Sequence, residues 1–89
     1  LSKAGKDAKS KIADKVKEFE GKIEAQQNEL KKLKEELEKK AVVLSGDTRA
    51  AKERDYQQKI KDFQRYTKDR QEELQQLDAQ YTNQIVEKL

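Results

Sequence analysis

Leu44-Ser45-Gly46-Asp47-Thr48 is the only cluster of turn-forming residues in this chain of 89 residues, and everything on either side of it reads as helix. Gly46 is expected to take a positive φ and close the preceding helix. Ser45, Asp47 or Thr48 is expected to cap the following one by accepting a bond from its free amides. N-terminal to the turn, Ile12, Val16, Phe19, Ile23, Leu30, Leu33, Leu37 and Leu44 recur at steps of three and four, with Gln26 and Lys40 filling the gaps. That is a heptad with Val16, Ile23, Leu30, Leu37 and Leu44 at position a, and Ile12, Phe19, Gln26, Leu33 and Lys40 at position d. C-terminal to the turn the pattern resumes. Ile60, Thr67, Leu74 and Tyr81 stand at a, and Tyr56, Phe63, Arg70, Leu77 and Gln84 at d.

The two frames can be folded onto each other. In an antiparallel pair an a residue faces a d residue of the other helix, so facing residues have numbers with a constant sum. A sum of 93 pairs Leu37 with Tyr56, Leu33 with Ile60, Leu30 with Phe63, Phe19 with Leu74, Val16 with Leu77 and Ile12 with Tyr81. Its fold point falls between Gly46 and Asp47, inside the turn cluster. The predicted fold is therefore all-α, a long antiparallel two-helix coiled-coil hairpin. Residues 1–44 form the first helix, 45–48 the tip turn and 49–89 the second helix. Each helix of about 41 residues spans roughly 60 Å.

Composition agrees with a rod. Charged residues make up 44% of the chain, hydrophobic ones 33%, and mean hydropathy is -1.28. So little apolar material does not fill a compact core at this length. The longest apolar run, Ala41-Val42-Val43-Leu44, is far short of a membrane span. With no Cys and no His, thiolate chemistry, disulfides and the usual zinc ligands are excluded, as is imidazole base catalysis. Carboxylate pairs such as Glu35-Glu36 and Glu72-Glu73 sit on an open rod with no pocket to separate their pKa values. The chain is read as no enzyme, with no cofactor.

Two places invite a functional reading. Net charge is +3, and the excess lies in residues 1–44, with 12 basic and 9 acidic side chains; residues 45–89 balance at 9 and 9. Near the turn, Lys39, Lys40, Arg49, Lys52 and Arg54 gather into a tip contact zone for anionic partners or lipid head groups, diluted by Glu35, Glu36, Glu38, Asp47 and Glu53. An ordinary solvated charged surface is the plainer alternative. The interspersed signs do not suit a nucleic-acid arm, and no nucleic acid is expected. Midway along the shaft, Gln26 faces Thr67 and Ile23 faces Arg70, with Gly21 nearby. These are register-fixing polar layers or a hinge at Gly21, Gln26, Thr67 and Arg70. Gly21 costs about 1 kcal/mol relative to Ala. Tyr56, Phe63 and Tyr81 belong to the seam, whereas Tyr66 lies off it and is expected to be the exposed aromatic. Ile85, Val86 and Leu89 form an apolar patch expected to pack on something outside the chain.

The stretch EELEKKAVVLSGDTRAAKERDYQQKIKDFQRY (35–66) and the opening LSKAGKDAKSKI (1–12) resemble the Skp/OmpH family of periplasmic chaperones. A small-residue SKAGK entry, a Lys/Glu-rich heptad, the VLS turn, AAKE and DFQR carry the resemblance, over residues 2–13 and 30–66. It implies an ATP-independent periplasmic holdase. In that family a β-rich body joins three subunits and helical tentacles hold unfolded outer-membrane proteins between them. This chain then corresponds to the tentacle alone, with body strands expected before Leu1 and after Leu89. A structural coiled-coil spacer or oligomerisation arm without client binding is the competing expectation.

Overall fold

The computed structural model describes residues 3–40 and 45–87, and the side chains of 6–40 and 45–83. Helix α1 spans Lys3–Lys39 and helix α2 spans Gly46–Glu87. Those described residues hold no strand. The helices lie side by side in a rod of 66 × 16 × 10 Å, close to the ~63 Å that 42 helical residues require. The expected hairpin is present. Leu44 and the Ala41–Leu44 run, Gln84 and the Ile85/Val86/Leu89 patch lie outside the residues described at side-chain level.

Good helix formers (Lys, Glu, Gln, Ala, Leu, Arg) fill both exposed faces, and no Pro interrupts them. α1 runs through Gly21 without a break, and a Cβ there would meet nothing within 4 Å. The N-terminus of α2 is fixed by Ser45. Its Oγ accepts from the Thr48 amide at 3.3 Å and donates to Thr48 Oγ1 at 2.8 Å. The Ser45 carbonyl accepts the first helical bond, from the Arg49 amide at 2.8 Å. Asp47 in the first turn complements the positive end of the helix dipole. Of the three expected caps, Ser45 fills the role.

Gly46 departs from expectation. Its φ is not positive, and it is the first residue of α2 rather than the closing residue of α1. The serine cap explains this: a residue just after an N-cap takes helical dihedrals, and any L-residue can adopt them. Two outcomes follow for thermal unfolding followed by circular dichroism. Ser45→Ala is expected to cost about 1 kcal/mol by leaving first-turn amides unpaired. Gly46→Ala is expected to be neutral or slightly stabilising, since its Cβ meets open space; a loss of 1 kcal/mol or so would restore the positive-φ reading.

The heptad stripe is the seam. Every a and d residue with a described side chain is buried or half-buried, except Lys40, which is exposed. Phe19, 4% exposed, is the one buried residue among those described. A third position joins them on α2. Lys52, Lys59, Tyr66 and Glu73, seven residues apart at g, are half-buried, while Gln57, Gln64, Gln71 and Asp78 at e are exposed. The helices are thus rolled so that α2 presents its a, d and g positions.

The register differs from the expected sum of 93. The cross-helix side-chain contacts join Glu36 to Lys52, Glu29 to Lys59 and Phe19 to Arg70, with sums of 88, 88 and 89. Cα–Cβ bonds tilt toward a helix's own N-terminus. At 93, all three α2 side chains would instead have to reach about one turn toward the C-terminus of α2. The seam residues survive the correction because a stripe spaced by three and four realigns after half a heptad.

Candidate functional site: an open seam with a polar middle and a charged tip

At the tip, the expected cations are largely neutralised by neighbours. Lys52 Nζ lies 2.9 Å and Lys40 Nζ 3.4 Å from the same oxygen, Glu36 Oε1. Arg49 Nε lies 3.2 Å from Glu53 Oε1. Lys39 and Arg54 are exposed, and no ion pair joins either to another described residue. Arg54 borders an open groove of about 690 Å³ whose apolar part is Leu37, Ala50 and Tyr56. The tip therefore offers two unpaired cations beside a shallow apolar strip, not five.

Sharing sets the acid response. The hydrogen bonds from Lys52 and then Lys40 hold the Glu36 carboxyl below its ordinary value of 4.5. Such a depressed acid stabilises the fold above its unfolded-state value and loses that contribution as pH falls through the folded-state value. Lys59 moves the other way. Its hydrogen bond to Glu29, at 2.8 Å, raises it above 10.5, partly opposed by burial and helped by Asp55. Its contribution is present at neutral pH and is lost as pH rises through the raised value. Acidification through and below the ordinary carboxylate value of 4.5 is therefore expected to loosen the tip. Hydrogen exchange at the amides of Lys52 and Glu53, corrected for intrinsic rates, is the readout. In Glu36→Gln that acid-dependent step should be absent; an identical acid profile in the variant contradicts this assignment.

In the middle of the shaft the structure is unlike a plain coiled coil. The Arg70 guanidinium sits over two rings, 5.3 Å from the Phe19 centroid and 5.1 Å from that of Tyr66. Tyr66, expected to be exposed, is half-buried beneath it. The reason is the g position: Tyr66 stands one turn before Arg70 on the edge of α2 that faces α1. The repeat Lys52, Lys59, Tyr66, Glu73 was the signal available in the sequence. Three buried polar atoms here have no hydrogen-bond partner: Gln26 Oε1, Tyr66 Oη and Arg70 Nε. Arg70 Nε lies 3.3 Å from Glu73 Oε2, near enough for an ion pair but not aligned for a hydrogen bond. Thr67 turns its hydroxyl to the Gln64 carbonyl at 2.9 Å. Of the expected hinge residues, Gln26, Thr67 and Arg70 are half-buried on the seam, and Gly21 is exposed on the outer face.

Toward the open end of the hairpin, Ala8, Ile12, Leu77 and Tyr81 line a groove of about 680 Å³, rimmed by Lys11 and Lys15. The whole surface is large. The accessible area of 7221 Å² exceeds the ~5400 Å² of a compact monomer of 10.4 kDa. Most of the seam is thus half-open along its length. Among the described residues no acidic or other ligand cluster suits a metal ion, and no helix is long and apolar enough to cross a membrane.

The pattern of the family described as "Outer membrane protein (OmpH-like)" matches residues 1–89, the full length given. The chain belongs to the OmpH-like family. That is a periplasmic chaperone family rather than an enzymatic one, and the resemblance carried by residues 2–13 and 30–66 extends over the entire hairpin. No curated protein and no solved structure matches the chain.

Proposed function

We propose that this hairpin is a gripping arm of an ATP-independent periplasmic holdase whose clients are unfolded outer-membrane proteins. The observation that carries the reading is the half-open seam of an OmpH-like chain. Apolar residues from Ile12 to Tyr81 are reachable from the side, flanked by Lys, Arg and Glu whose aliphatic stems widen the apolar strip. Many weak contacts of that kind suit an unfolded chain, and the charged outer faces keep the complex in solution. Three such arms about a common body, the arrangement the family implies, would surround a client. Lys39, Lys40, Arg49, Lys52 and Arg54 form the tip contact zone in this reading, with Lys39 and Arg54 as the cations that engage acidic client segments or anionic lipid. Gly21, Gln26, Thr67 and Arg70 form a soft zone where the arm adapts to client size.

The test is light scattering after an unfolded outer-membrane β-barrel protein is diluted from urea into buffer. The protein that carries these 89 residues should suppress aggregation near stoichiometric ratio without nucleotide. No suppression at roughly threefold excess sinks the reading. The self-pairing of Glu36 with Lys40 and Lys52 favours the alternative, a spacer or oligomerisation arm. That alternative expects no client binding and no effect of reversing Lys39 and Arg54.

A further inference from the structure

The seam can be zipped in two ways. In the register described, Arg70 stacks on Phe19 and Gln26 shares a groove with Phe63, so these polar seam residues meet apolar ones. The three partnerless polar atoms lie along this stretch. Sliding one helix by about half a heptad, four residues or roughly 6 Å, brings the numbers to a sum of 93. Gln26 then faces Thr67, whose hydroxyl can donate to the orphaned Gln26 Oε1. Phe19 meets Leu74, and Leu33 meets Ile60 in place of Tyr56. The charges at g favour the register described, in which Lys59 pairs with Glu29 and Lys52 with Glu36. A slide of four residues brings Lys59 level with Leu33 and Lys52 level with Lys40, so both pairs part.

We infer that the hairpin is a two-register element, the zipped state described here exchanging with one displaced by half a heptad. Each register forfeits something the other keeps. The described one keeps the Arg70 stack on Phe19 and Tyr66 and two cross-helix ion pairs. The shifted one keeps a satisfied Gln26–Thr67 layer and a Leu74 contact for Phe19, but sets Arg70 against Ile23. Buried polar atoms without partners and exposed ion pairs are each modest in size, so neither set overwhelms the other. The slide carries the tip of one helix past the other, so the Lys52–Glu36 contact at one end reports the packing of Ala8, Ile12, Leu77 and Tyr81 at the other. A partner that prefers one end state biases the whole arm.

The chain has no cysteine, so disulfide trapping reads the two registers without background. Leu33→Cys with Tyr56→Cys reports the described register, and Leu37→Cys with Tyr56→Cys the shifted one. Both pairs should oxidise in glutathione buffer, with equilibrium constants within about 100-fold of each other. Gln26→Leu removes the polar layer of the shifted register and should move the ratio about tenfold toward the 33–56 bridge. If loss of Tyr56 unfolds the hairpin, Leu77→Cys with Ile12→Cys or with Val16→Cys makes the same comparison. No shifted-register disulfide where the other forms fully, or a ratio untouched by Gln26→Leu, overturns the inference.

Discussion

Phe19→Ala is expected to cost the hairpin about 3 kcal/mol and to unfold much of it at room temperature. Phe19 is the most enclosed side chain among those described, at 4% exposure, while its seam neighbours are only half-covered. Truncating a buried Phe to Ala costs about 3–5 kcal/mol in compact cores. The low end applies in a two-helix rod, where solvent reaches a cavity from the side. The loss is not only apolar. Arg70 would keep one ring of its stack, Tyr66, and lose the other, and each cation–π contact is worth about 0.5–1 kcal/mol. Long helices without a tight core have little stability in reserve. Urea unfolding monitored at 222 nm measures the change. A loss below about 1 kcal/mol would mean that Phe19 is not the keystone of the seam.

Joint replacement of Gln26 and Arg70 by Leu is expected to stabilise the hairpin by about 1–2 kcal/mol. Two buried polar atoms without partners, Gln26 Oε1 and Arg70 Nε, disappear, each relieving about 1–3 kcal/mol. Against that stands the loss of two cation–π contacts of about 0.5–1 kcal/mol each and of the Arg70–Glu73 ion pair. Leu at position 70 still covers part of Phe19. The urea midpoint should rise, and hydrogen exchange from Ile23 to Leu30 should slow to the rate found near Leu33 and Ile60. If mid-shaft exchange is already that slow in the parent chain, there is no soft zone to stiffen.

Most of the fold was legible in the heptads. Once Val16, Ile23, Leu30 and Leu37 are placed at a, burial of Ile12, Phe19 and Leu33 follows from helix geometry alone. The cap at the start of α2 was legible in Ser45, but Gly46, Asp47 and Thr48, expected in the turn at 45–48, are helical because that cap starts the helix at Gly46. Register was less legible because a three-four stripe matches itself after half a heptad. Only the particular partners of Phe19, Lys52 and Lys59 separate the two alignments. Tyr66 departs from expectation for a related reason. Whether a g residue is covered depends on how the helices roll, which a two-position pattern does not encode. The tip was half-legible. The i,i+4 pairs Lys40–Glu36 and Arg49–Glu53 could be read from spacing, but Lys52–Glu36 spans the seam and depends on register.

Gripping a client with a paired arm requires a chain folded back on itself between Lys39 and Gly46. Small-angle X-ray scattering of the monomeric chain tests that most directly. The folded hairpin predicts a radius of gyration near 20 Å and a longest dimension close to 66 Å. A single continuous helix of 89 residues, roughly 130 Å long with a radius of gyration near 40 Å, would contradict it.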